Sequence, residues 1–79
     1  MNDKSKVLAK IKIDNGENCF VMTFDSLEIY KATQEVIEDC LKNNNTRLKY
    51  LCGWEETLFP SSYLQNSVIT YLSHENTFI

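Results

Sequence analysis

Glu55 and Glu56, next to each other and to the sole tryptophan, Trp54, are the residues whose type and spacing come nearest to a chemical device. Paired carboxylates can divide acid and base roles between them. Neighbouring residues of an extended segment point apart, however, so this doublet reads as a solvated turn beside a tryptophan rather than a catalytic pair. The three cysteines, Cys19, Cys40 and Cys52, and the one histidine, His74, have separations that fit no common zinc-ligand pattern. Cys19 and Cys52 fall in strand-like segments, away from the electropositive helix start that would activate a thiolate. Gly16 and Gly53 are the only glycines, too few to build a phosphate-cradling loop. No catalytic residue, cofactor or metal is expected, and the chain reads as non-enzymatic.

A second chemistry is carried by cations. Lys10, Lys12, Arg47 and Lys49 occupy alternating positions in two strand-like segments, where they could form a stripe that neutralises phosphates on the open face of a sheet. Lys4 and Lys6 could extend it. The formal charge of -3 has the wrong sign for a simple nucleic-acid binder, and aromatic platforms for base stacking are scarce on those polar faces.

The elements that must position these groups are legible from periodicity. Val7, Ala9, Ile11 and Ile13 alternate with Leu8, Lys10 and Lys12, as a half-buried strand does. Asn15-Gly16 is the dipeptide of a type I′ hairpin turn. Such a turn pairs Asp14 with Glu17, Ile13 with Asn18, Ile11 with Phe20, Ala9 with Met22 and Val7 with Phe24, leaving one face of the 7–24 hairpin apolar. Asp25 and Glu28 then read as a capping box, with Phe24 and Ile29 as a hydrophobic staple. A helix is predicted from about Ser26 to Leu41 or Lys42, its buried stripe made of Ile29, Thr33, Val36 and Cys40 flanked by Tyr30, Ile37 and Leu41. Asn43-Asn44-Asn45 ends it, because asparagine tolerates the left-handed cap conformation.

Alternation resumes over Thr46 to Trp54, with Leu48, Tyr50, Cys52 and Trp54 on one side, and Gly53 marks a bend. Glu55-Glu56-Thr57 reads as a connection, and Pro60 as the start of a turn or a single helical turn. Ser67 to Ser73 is rich in β-branched and aromatic residues and is predicted as the last strand. The expected fold is therefore α+β in a single small domain spanning 1–79. Its order is ββαββ, an antiparallel sheet with the helix on one face, and residues 1–6 and 74–79 are tails.

Size and composition bound the function. A chain of 79 residues has room for one core and little room for an enclosed site. No stretch is long and apolar enough to span a bilayer, and the opening residues are polar. An odd number of cysteines without C-x-x-C spacing points to packed free thiols in a reducing compartment, so a cytoplasmic location is expected. Nine aromatic residues exceed what so small a core can hold, and aromatics are enriched at interfaces. The surplus singles out Trp54, Glu55, Glu56, Phe59 and Tyr63 as a surface for a larger protein partner.

The asparagine- and lysine-rich wording fits an accessory gene of an AT-rich microbe or its phage, for which binding and blocking a larger host defence protein is a common task. Nucleic acid, held by Lys10, Lys12, Arg47 and Lys49, is the alternative partner. A homodimer through an edge strand is compatible with either, since Ser67 to Ser73 carries no charge or proline to deter pairing.

Overall fold

The computed structural model describes residues 7–73. They form β1 (Ala9–Asp14), β2 (Cys19–Phe24), α1 (Leu27–Lys42), β3 (Arg47–Cys52), β4 (Glu55–Pro60), α2 (Ser61–Gln65) and β5 (Val68–Ser73). The α+β class, the leading hairpin and the central helix follow the sequence expectation. The strands, however, divide into two antiparallel sheets, one ordered β2-β1-β5 and the other a separate β3-β4 pair. β1 sits between β2 and β5, so both its edges are taken. At the outer side of β2 the neighbour is a side chain: the Tyr50 hydroxyl accepts from Thr23 N at 3.3 Å and lies 3.4 Å from Thr23 O. The expected tails, including His74 and Phe78, lie outside the described residues.

The first hairpin turns one residue later than predicted. Gly16, with φ +97°, and Glu17 are the central pair, and Asn15 N donates to Asn18 O at 3.1 Å. Among the described residues none other than glycine has positive φ, so the turn meets the II′ requirement of one positive φ at the first central position and not the I′ requirement of two. Side chains hold it there. Asp14 Oδ1 accepts from Gly16 N, and Asn15 Oδ1 accepts from Glu17 N and Asn18 N. The register becomes Ile13 with Phe20, Ile11 with Met22 and Ala9 with Phe24, displaced by two residues from the expected pairing. A two-residue displacement keeps every side chain on its own face. It also puts Phe20 opposite Ile13, where the predicted register had Asn18, so the buried face is apolar throughout. On the other face Lys10 now opposes Thr23, and Lys12 opposes Val21.

α1 is also displaced by one residue from its predicted cap. Ser26, not Asp25, is the N-cap, and its Oγ accepts from Ile29 N at 3.3 Å. With the cap at Ser26, Glu28 is no longer at the third helical position that a capping box needs. The buried face consists of Tyr30, Ile37 and Cys40, with Leu27 and Val36 packed beside it, while Ile29 is 59% exposed. The Phe24–Ile29 staple is therefore absent, and Phe24 instead meets the Tyr30 ring at 5.7 Å between centroids. At the other end Asn43 caps in an extended conformation, φ -135°, rather than a left-handed one. Its N–H donates to Asp39 O, and its Oδ1 accepts from Asn45 N.

The core gathers Ile11, Ile13 and Met22 from the sheet, Ile37 and Cys40 from α1, and Leu64 from α2, all fully buried. The cross-strand pair Leu48 and Phe59 closes it from the second sheet. α2 follows Pro60, which ends β4 and stands at the N-cap rather than in the first turn where it was expected. It is tied to the end of α1, where Gln65 Nε2 donates to Cys40 O and Asn44 Oδ1, and Ser61 Oγ donates to Asn44 O. No helix among the described residues is long and apolar enough to cross a membrane.

Candidate interaction site

The β3-β4 pair is a hairpin closed by Gly53-Trp54, with Cys52 opposite Glu55. Gly53 takes φ +62°, the left-handed conformation that favours glycine, so the residue expected to bend a strand ends it. Glu55-Glu56-Thr57, expected as a connection, opens β4 instead. The root of this arm is packed: Leu48 and Phe59 are buried, Phe20 lies 5.1 Å from Phe59 and Phe59 lies 5.7 Å from Tyr63 between ring centroids. The tip is not. Every residue from Leu51 to Glu56 is exposed, with Leu51 at 67% and Trp54 at 99%.

This divides the residues picked out from sequence. Trp54, Glu55 and Glu56 stand together at the exposed tip. Phe59 is core, and Tyr63 is half-buried against it, so neither stands with them on the surface. Tyr71 is likewise packed against the core, and Phe20, Tyr50, Phe59 and Tyr63 meet ring to ring at the side of that same core, so among the described residues the aromatic surplus comes down to Trp54. Glu55 and Glu56 alternate across β4. Glu56 Oε2 reaches back to Lys49 Nζ at 3.1 Å, which pairs one acid of the doublet with one cation of the expected stripe.

The four cations do not share a sheet. Lys10 and Lys12 are exposed on β1, whereas Arg47 and Lys49 are on β3 of the separate hairpin, so the single open face that was to align them is absent. Arg47 borders a depression of about 540 Å³ that also takes in Asn44, Leu58, Pro60 and Ser61.

Beside the arm runs a groove of about 330 Å³. Phe24, Ile29 and Thr33 line one side of it, and Lys49, Tyr50 and Leu51 the other. Two exposed aliphatic side chains, Ile29 and Leu51, thus border one concavity. The sequence reading assigned Ile29 to the core stripe and gave Leu51 no role. A leucine alternating with Arg47 and Lys49 on an otherwise polar face was the available signal.

The thiols split in the same way. Cys40 is buried, and desolvation together with the neighbouring Asp39 charge pushes its pKa up. Cys19 and Cys52 are exposed rather than packed, Cys52 within the arm tip. Among the described residues no three His, Cys, Asp or Glu side chains gather as metal ligands would. Compared with protein-family models, curated proteins and solved structures, the chain matches none.

Proposed function

We propose that this chain is a non-enzymatic protein-binding module that occupies and blocks a surface of a larger protein through the tip of the β3-β4 arm. The observation that carries the reading is Trp54: a fully exposed tryptophan held on a two-residue turn whose hairpin root is built into the core. An indole in water is a large unspent apolar surface, about 150–250 Å² that a partner can cover. Tryptophan also dominates the small set of residues that carry most binding energy at interfaces. Holding it on a short turn lowers the ordering cost that a flexible loop would add. Leu51 extends the apolar surface, and Glu55 supplies a charge at its rim that selects a partner with basic groups around an apolar pocket.

The test is affinity capture with the full chain at micromolar concentration, run beside Trp54→Ala. The reading expects a specific protein to be retained by the unaltered chain and lost from the variant, with the unfolding transition of the two chains coinciding. Equal retention by Trp54→Ala refutes it.

A further inference from the structure

We infer that the groove beside the arm receives an extended segment of the partner protein, basic and apolar in alternation, which adds to the free edge of β3 as a third strand. The inference rests on the reading of the arm as a binding element and names what that element binds. Three consecutive residues of β3, Lys49, Tyr50 and Leu51, line the groove, and among the described residues none of β4 does. Consecutive strand residues point to opposite faces, so a concavity that touches all three lies along the strand's edge rather than on one face. It is the edge turned away from β4.

The register says what that edge offers. Cys52 and Glu55 flank the two-residue turn as its hydrogen-bonded pair, and such pairs alternate with non-bonded ones along an antiparallel ladder. Leu51, opposite Glu56, and Lys49, opposite Leu58, are therefore non-bonded positions whose N–H and C=O point away from β4, on the side of the groove. Thr23 is the corresponding outward position on β2, and there the Tyr50 hydroxyl meets the backbone. Among the described residues no group does the same for Lys49 or Leu51. An open edge beside a concavity is what strand addition uses: main-chain hydrogen bonds supply affinity, and alternate side chains enter the pocket.

The groove also selects the chemistry of the segment. At about 330 Å³ it lies at the lower end of the roughly 300–1,000 Å³ range of binding pockets, room for a side chain of an extended chain rather than for a helix. Ile29 and Leu51 are exposed apolar walls for that side chain. The charge an incoming chain meets is negative. Lys49 is already neutralised by Glu56 of its own chain at 3.1 Å, whereas Asp25 on the groove and Glu55 at the tip have no ion-pair partner among the described residues. Lysine or arginine at alternate positions of the segment answers those carboxylates, and an acidic segment is repelled by them.

The probe is a short capped peptide of alternating lysine and valine, titrated to millimolar concentration into the isotope-labelled full chain and followed by amide resonances. Saturable shifts are expected at Ile29, Lys49 and Leu51, with slowed amide exchange at the last two. A strand on an edge bonds through one alternate set of its residues, so N-methylation of one set should weaken binding by about tenfold and of the other set little. Glutamate in place of lysine in the peptide, or Asp25→Lys in the chain, should weaken it as well. Absence of saturable shifts, shifts away from β3, equal tolerance of both N-methylated sets, or protection of Lys49 and Leu51 through self-association of the chain alone overturns the inference. Partner capture that depends on Trp54 while the peptide leaves β3 untouched refutes strand addition and keeps the tip. Peptide binding on β3 with capture indifferent to Trp54→Ala does the reverse.

Discussion

Two hairpins in this chain share a construction and differ in fate. Both β1-β2 and β3-β4 turn on two residues, the first a glycine with positive φ, Gly16 in one and Gly53 in the other. In the first, each buried-face position of one strand meets an apolar residue on the other: Ile13 meets Phe20, Ile11 meets Met22 and Ala9 meets Phe24. In the second, only the root pair Leu48–Phe59 is buried on both strands, and farther out Tyr50 faces Thr57 and Cys52 faces Glu55. The turn makes a hairpin; the length of apolar pairing decides how much of it is absorbed into the core. Where that pairing stops, the strand projects, and a residue type ordinarily used for packing is left facing solvent.

The sharpest way to break this comparison is to cut the packed root and the free tip in parallel. Phe59→Ala should destabilise the fold by about 3–5 kcal/mol in urea unfolding, the usual result of emptying a buried aromatic site. Trp54→Ala should leave the midpoint where it is. Equal losses would mean that the tip is packed after all.

The two glycines offer a smaller, graded contrast. Substitution by alanine at either should cost about 1–3 kcal/mol through backbone strain alone, since neither position has an atom near enough to obstruct a new Cβ. Asparagine should rescue Gly53, whose φ of +62° lies in the left-handed region asparagine visits, and should not rescue Gly16 at +97°.

Smaller still is the link between the two sheets. Tyr50→Phe removes the hydroxyl that meets the Thr23 backbone, and a loss of about 0.5–1.5 kcal/mol is expected, with faster amide exchange at Thr23.

The thiols sharpen the contrast without altering the fold. Native alkylation should modify Cys19 and Cys52 quickly and Cys40 only on unfolding. Because the folded state raises the Cys40 pKa, the native thiol holds its proton where the unfolded one has lost it. That contribution to stability is intact below pH 9.0, the ordinary thiol value, and is lost as pH rises above it.

The α+β class, the strand and helix periods and the single turn after Pro60 were legible because each is a local pattern. What the letters misplaced follows a common cause. Asn15-Gly16 announced a turn but could not say which residue would lead it, and the choice fell to the register that keeps Asn18 off the buried face. Ile29 and Tyr30 are neighbours on the helix, and which one faces inward depends on where Phe24 delivers the chain. Gly53-Trp54 was missed because tryptophan is a rare turn residue, so an alternating run was read straight through it. Division into two sheets was illegible for a different reason: β1 is claimed by the distant β5, and no local pattern records that pairing. At the candidate site Trp54, Glu55 and Glu56 were found by composition. Ile29 and Leu51 were not, since their exposure is a property of the assembled surface.

The place of β1 has a consequence for biosynthesis. Its two partners are the strand nearest to it in the chain and the last strand described. On the ribosome the sheet must wait as a two-stranded ribbon, marginal by itself, until β5 clears the exit tunnel. Completion of the sheet is thereby deferred until β5 has emerged, and a nascent chain truncated before Val68 has no three-stranded sheet to complete.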